Sequence, residues 1–157
     1  MNKIRRKHIL NRTCSRQQAI LFTIVVVSAI TFESSTSFDG SNLLVDVILL
    51  WRYILMVFVV YDVWVVAANE PTDPVLAGEV HLEEVNADKV LFCILCDHLV
   101  SKESHHCFRC ERCAYDFDHH CKYLNVCIGG KNYIAFLKLL ASFVLYCSSA
   151  AILLVRE

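Results

Sequence analysis

Between Cys93 and Cys127 the chain reads Cys93-x2-Cys96-x9-His106-Cys107-x2-Cys110-x2-Cys113-x4-Asp118-His119-His120-Cys121-x5-Cys127. Two thiols at Cys-x2-Cys spacing suit a tight turn that sets them about 3.5–4 Å apart on one metal, and zinc takes four N or S ligands in a closed tetrahedron. Seven of the nine cysteines fall in this stretch, interleaved with His98, His105, His106, His119 and His120. Two tetrahedral sites need eight ligands. If each takes three cysteines and one histidine, one cysteine is left over, and the count alone does not say which. A spare thiol beside a spare imidazole is reactive, because the thiolate is the nucleophile and a neighbouring base generates it. The run Asp118-His119-His120-Cys121 supplies an acid, a base and a thiol together.

The elements that must position this stretch are apolar. Of 157 residues, 56% are hydrophobic, against about 45–50% for a soluble domain, and the excess lies in long runs on either side of the cysteines. A water-soluble enzyme with one large core is excluded. A net charge of -1 offers no basic stripe to neutralise phosphates, which excludes nucleic acid as a partner. Residues 69–132 are too short a segment to build a substantial core by themselves, so metal is expected to supply much of their folding energy. No internal repeat is evident.

Three apolar stretches compare with the roughly 20 residues that cross a bilayer. Residues 17–34 form the first, at the short end of that range, behind a basic segment, residues 1–16, with six Lys or Arg and no acid. That front also suits a signal peptide, but no small-residue cleavage site follows it. Residues 43–68 form the second. Its sixteen Leu, Ile, Val and Phe, at about -0.3 to -0.6 kcal/mol each, outweigh one central Arg52 at about +2.5 to +3.5 kcal/mol. Residues 133–155 form the third. The positive-inside rule puts the amino terminus in the cytosol and the loop 33–42 outside. Residues 69–132 are then cytosolic, a reducing compartment in which clustered thiols serve metals or catalysis. The expected architecture is a multi-pass α-helical membrane protein with a small cytosolic two-zinc cysteine-rich domain of knuckles and short hairpins.

Charges inside such spans are functional candidates. Asp62 and Lys138 lie at similar depth and could pair; alternatively Lys138 snorkels to the interface and Asp62 is hydrated there. Arg52 has no acid at i±3 or i±4, so its partner must come from another helix.

The stretch from Cys93 to about Phe136, with Phe117-Asp118-His119-His120-Cys121-Lys122-Tyr123 and the spacing Gly129-x2-Asn132-x3-Phe136, resembles the DHHC cysteine-rich-domain protein S-acyltransferases, or palmitoyltransferases. Lys122 and Tyr123 look like the branch with Cys-Lys-Trp in place of Cys-Pro-Trp. The resemblance implies two structural zinc ions, one on Cys93, Cys96, His106 and Cys113, the other on Cys107, Cys110, His120 and Cys127. Cys121 is then the nucleophile that takes a palmitoyl group from palmitoyl-CoA, His119 the general base, and Asp118 the group that orients it. The acyl chain passes to membrane-proximal cysteines of substrate proteins at the lipid bilayer. Residence in the endoplasmic reticulum or Golgi is implied as well. Independently of the family, Cys121 lies twelve residues before Tyr133, within reach of the cytosolic interface.

The sequence also departs from the family. The basic residue, proline and arginine expected after the first Cys-x2-Cys are Val100, Ser101 and Glu103 here. Lys89, Lys102 and Lys122 could stand in for CoA phosphate binding, or be solvated. The Asp-Pro-Gly element after the second helix is represented by Glu70-Pro71 or Asp73-Pro74. A fourth helix and a Thr-Thr-x-Glu segment do not appear before Glu157, as in a short isoform, a fragment or a truncated gene model. The rival function is a non-catalytic membrane adaptor that keeps the zinc fold. A zinc-dependent ubiquitin ligase needs a different order of Cys and His. Cys147 reads as apolar filler, Cys14 as an interfacial thiol open to acylation, and His8, His81 and His98 as surface residues. His105 lies one place from His106 and could compete with it for metal.

Overall fold

A computed structural model describes residues 16–35, 42–79 and 87–154. The chain runs through α1 (Arg16–Ser35), α2 (Leu43–Ala68), the single turn α3 (Pro74–Ala77), and a 3-10 turn at Ala87–Lys89. Six strands follow, β1 (Val90–Cys93), β2 (His98–Ser101), β3 (Ser104–Cys107), β4 (Arg112–Tyr115), β5 (His119–Cys121) and β6 (Val126–Ile128), and then α4 (Tyr133–Leu154). His8, Cys14 and His81 lie outside the described residues.

Helix α2 is set by its ends. Asn42 Oδ1 accepts from the N–H groups of Leu44 and Val45 at 3.2 and 3.4 Å, satisfying donors that a helix start leaves open. At the other end the backbone N–H of Asn69 donates to Val65 O at 3.1 Å and its side-chain amide to the same oxygen at 2.8 Å. The valine-rich interior would suit a strand in an open sheet, but a helix gives every interior N–H an acceptor within the segment. Among the described residues α2 is the one helix long and apolar enough to cross a membrane; the apolar segments Arg16–Val27 and Tyr133–Ser149 are shorter.

Helices α2 and α4 pack antiparallel. Leu49, Arg52, Leu55, Val59, Val63 and Val66 recur at helical spacing on the inner face of α2, while Val57, Val60 and Trp64 are exposed. Arg52, 2% exposed, reaches across to α4. It donates to Ser149 Oγ at 3.2 Å and to Tyr146 Oη and O at 3.3 and 3.4 Å, and lies 4.7 Å from the Tyr146 ring centroid. Tyr146 and Ser149 of the facing helix are thus among its partners, and both are neutral groups. The pairing of Asp62 with Lys138 is not formed. Asp62 Oδ2 instead accepts from Ser142 Oγ at 2.9 Å, because the inner face of α4 carries Leu139, Ser142 and Tyr146 while Lys138 projects outward, exposed.

The strands make three separate two-stranded antiparallel hairpins, β1–β2, β3–β4 and β5–β6. They recur every fourteen residues: Cys93, Cys107 and Cys121 end the first strand of each, Cys96, Cys110 and Leu124 follow three later, and Asp97, Glu111 and Asn125 come next. Those last three have φ of 52°, 52° and 57°, the left-handed turn conformation that closes each loop. The repeat escapes the sequence reading because only its middle copy is complete: the first has Phe92 and Leu99 where the others have a histidine and a cysteine, and the third has Leu124 for its second cysteine.

Residues 70–78 strap this module to α2. Tyr115 N–H donates to Pro71 O at 2.7 Å and Asp73 N–H to Cys113 O at 3.1 Å, adding the strap to the edge of β4. Asp73 is buried. Oδ1 caps α3 through Val75 and Leu76 N–H at 2.9 and 3.1 Å, and Oδ2 accepts from Ser101 N–H at 2.8 Å and Ser104 Oγ at 2.5 Å. Burial opposes its ionisation, but the hydrogen bonds from Ser104, Ser101 and Leu76 outweigh that and hold its pKa below the ordinary value. Of the two candidates for the Asp-Pro element, Asp73-Pro74 is the buried anchor. Glu70 pairs instead with Arg112.

Candidate functional site

The hairpins bring the cysteines and histidines into two groups. In the first, His106 Nδ1 lies 3.7, 3.3 and 3.8 Å from the sulfurs of Cys93, Cys96 and Cys113, and Cys96 and Cys113 are 3.7 Å apart. In the second, His120 Nδ1 lies 3.6, 3.3 and 4.0 Å from Cys107, Cys110 and Cys127, with Cys110 and Cys127 3.1 Å apart. Within each group all four ligand atoms lie within 4.8 Å of one another. A tetrahedron with bonds of about 2.3 Å to sulfur and 2.0–2.1 Å to nitrogen has edges of about 3.5–3.8 Å, so both groups have the dimensions of a zinc site. The register is the same in both. A histidine on one strand faces a cysteine on the next, His106 opposite Cys113 and His120 opposite Cys127, and the hairpin turn before supplies the Cys-x2-Cys pair.

The electrostatics of these groups call for a cation. Burial and the thiols of Cys93 and Cys96 push Cys113 well above the ordinary thiol value. Cys110 beside it, then burial, do the same to Cys127, and burial raises Cys96. Cys93 is lowered, because N–H groups of Cys96 and Leu95 and the Cys113 side chain outweigh its burial. Burial, with His105 next to it, lowers His106 and favours the neutral imidazole that binds metal. Clustered thiols that raise one another's pKa become thiolates together when a divalent cation is present.

Cys121 belongs to neither group. Strand alternation explains this. Along β5, His119 and Cys121 face one way and His120 the other, so the same strand delivers His120 to the second group and turns Cys121 away. The fourteen-residue period gives the complementary reason: where the first two hairpins have Cys96 and Cys110, the third has Leu124, so no second sulfur waits there. Cys121 is 8% exposed and lies in a cluster with Val66 of α2, Leu139 of α4, Val126 and Ile128, flanked by Val59, Val63, Leu124, Ala135 and Phe136. Gln18 of α1 donates to Leu124 O at 3.4 Å, so three helices meet this hairpin.

Beside it, His119 Nδ1 lies 3.1 Å from Asp118 Oδ2, and the His119 ring sits edge-on to Phe136 with centroids 5.4 Å apart. The Asp118 N–H donates to Ile128 O at 3.0 Å. His105 points away from the first group and stacks on Phe117 at 5.5 Å, which removes it as a competitor for His106. His98 Nδ1 lies 2.9 Å from Leu99 O, outside both groups. Cys147 is exposed on α4. Lys89, Lys102 and Lys122 are all exposed, and Lys122 Nζ lies 5.1 Å from the Tyr123 ring centroid.

Asn132 carries more than its spacing suggests. Fully buried, it donates from Nδ2 to Val66 O at 3.1 Å and Cys127 O at 3.0 Å, and accepts at Oδ1 from Gly129 N–H at 3.0 Å. A polar residue directly before an apolar helix is a capping signal; that its amide reaches across to α2 is not visible in sequence.

Residues 86–156 match the family model described as DHHC palmitoyltransferase. Among curated proteins, the "Probable protein S-acyltransferase 20" of Arabidopsis thaliana is 47% identical over 64 residues, which is 41% of this chain and 9% of that protein. The human "Palmitoyltransferase ZDHHC15" is 47% identical over 58 residues, 37% of this chain and 17% of that protein. The "Probable protein S-acyltransferase 13" of Arabidopsis thaliana is 25% identical over 134 residues, 74% of this chain and 44% of that protein. In each case the matched part is less than half of the relative's length.

Proposed function

From the DHHC palmitoyltransferase domain that residues 86–156 carry, we propose that this chain is a protein S-acyltransferase, moving a palmitoyl group from palmitoyl-CoA through a thioester on Cys121 to cysteine thiols of substrate proteins. The observation that carries the reading is the exclusion of Cys121 from both metal groups, with its sulfur packed between α2 and α4. In the first half-reaction the Cys121 thiol gives its proton to His119 and the thiolate attacks the acyl carbonyl. The bond from that carbonyl to the CoA sulfur breaks, and His119 returns the proton to the departing thiolate. In the second half a substrate thiol repeats the exchange and restores Cys121. Asp118 accepts from His119 Nδ1 and so leaves Nε2 as the base. One thioester is exchanged for another at each step, so the equilibrium is close to balanced and the site has to lower only the barrier.

Zinc would be held by Cys93, Cys96, His106 and Cys113, and by Cys107, Cys110, His120 and Cys127. It would supply folding energy and rigidity to the hairpins, with no part in acyl transfer. The reading includes three membrane spans, residues 17–34, 43–68 and 133–155, with the amino-terminal segment 1–16 and the domain 69–132 on the cytosolic side of the endoplasmic reticulum or Golgi. The apolar residues around Cys121 support its place at the bilayer boundary. There an acyl chain stays in hydrocarbon while the CoA head group remains in water, which stabilises the complex by about 0.8 kcal/mol per CH2 kept from water.

Purified protein incubated with alkynyl palmitoyl-CoA tests this reading. A label that hydroxylamine removes, and that Cys121→Ser abolishes, is the expected result. Two bound zinc ions with no label would select the membrane adaptor.

A further inference from the structure

His119 stands where solvent can turn it. Its side chain is 42% exposed and that of its partner Asp118 is 52% exposed, and an exposed pair of this kind contributes little to holding a geometry. The ring also meets Phe136, edge-on at 5.4 Å with an interplanar angle of 66°. Phe136 also packs against the cluster that contains Cys121, so a single side chain touches the surroundings of both reacting groups. It is itself firmly placed. Its N–H donates to Asn132 O at 2.9 Å, and Asn132 and Phe136, four residues apart, share one face of the first turns of α4. Through its side chain Asn132 fixes that face to Val66 of α2 and to Cys127, whose strand partner is His120.

We infer that Phe136 is a positioning residue: its ring, packed against the cluster around Cys121, holds the His119 imidazole toward that thiol. This rests on the roles given above to Cys121 and His119. An aromatic contact of this geometry corresponds to about a three- to tenfold change in rate.

The test uses the full chain in detergent, loaded with zinc, and reads two rates at Cys121 by mass spectrometry: alkylation by iodoacetamide and acylation by palmitoyl-CoA. Phe136→Leu is expected to retain both zinc ions and to slow both rates about three- to tenfold, with Phe136→Tyr back within about twofold of the parent. In a His119→Ala background Phe136→Leu should cause no further loss, because the contact acts through that imidazole. A Phe136→Leu protein at the parental rate overturns the inference. So does a loss that multiplies with that of His119→Ala, which would mark Phe136 as packing alone. Should Phe136→Leu lose metal, Phe136→Met fills the volume without a ring and is read in the same cycle. If the parent alkylates at Cys121 but never acylates there, the transferase reading fails, while the alkylation cycle still decides the role of Phe136.

Discussion

The side-chain amide of Asn132 donates to the main-chain carbonyl of Val66 at 3.1 Å, joining the first turn of α4 to the last turn of α2. Val66 O belongs to the helix end, where carbonyls lack intrahelical partners, and the same amide nitrogen reaches Cys127 O. Replacing Asn132 by Asp sets carboxylate oxygen against two carbonyls in a fully buried place. The expected cost is about 3–5 kcal/mol, and Asn132→Ala costs about 1–3 kcal/mol. Thermal unfolding in one detergent checks the order, parent above Ala above Asp.

Metal removal should unfold the hairpins and spare the helices. Among the described residues of the domain the buried aliphatic side chains are Val75, Val100, Val126 and Ile128, so a strong chelator is expected to abolish its tertiary signal while far-ultraviolet circular dichroism keeps the helical bands. Cys110→Ser should reduce the stoichiometry to one zinc per chain, and Cys121→Ser should leave it at two. Elemental analysis of the purified variants reads these numbers.

Asp73 links stability to acid. Its folded pKa lies below the ordinary value, so its stabilisation is complete above the unfolded pKa near 3.9 and is lost as pH falls through the lower folded value. Asp73→Asn keeps the cap on α3, since Asn is also a good cap, but turns an amide toward Ser101 N–H. It should be less stable by about 1–3 kcal/mol at pH 6. That deficit should shrink below about pH 4. Paired denaturation curves of parent and variant between pH 6 and 3 measure the narrowing gap.

Between the helices, Asp62 should couple to Ser142 and not to Lys138. A double-mutant cycle on Asp62→Asn and Ser142→Ala is expected to give about 0.6 kcal/mol, the scale of inter-helix hydrogen bonds in membranes. The corresponding cycle with Lys138→Ala should give a coupling near zero.

Gly129 has no room for a side chain. A Cβ there would meet Tyr115 O at 2.7 Å and Asp116 O at 2.8 Å, both backbone atoms that cannot rotate aside. Gly129→Ala is expected to destabilise the protein by about 1–3 kcal/mol, whereas Gly78→Ala meets no atom within 4 Å and is strained only by its φ of 74°. Melting temperatures of the two variants separate collision from backbone strain.

What was legible in the sequence was local chemistry. The Cys-x2-Cys pairs and the two histidines at matching offsets announce metal sites because ligand geometry restricts spacing, and the two groups the structure gathers coincide with the two ligand sets that the family resemblance implies. Helical periodicity was weaker evidence, since a stretch apolar on nearly every side does not show which face meets a neighbour. Hence depth alone leaves Asp62 either paired with Lys138 or hydrated, while the facing side chain is Ser142. Reach across the fold was illegible: nothing near Asn132 in the chain names Val66, and nothing near Asp73 names Ser101 or Ser104. The repeat was hidden because its outer copies are incomplete: Phe92 and Leu99 stand in the first, and Leu124 in the third, where the middle copy has a histidine or a cysteine.

That third copy bears on how Cys121 comes to be rigid. A turn shaped to grip metal retains its curvature when one sulfur gives way to the leucine at 124, and the surviving sulfur inherits a scaffold whose stiffness its two sister turns secure. A thiol at Leu124 would create the bite of a chelating pair, so on the role proposed for Cys121 one hydrocarbon side chain keeps the nucleophile from becoming an anchor.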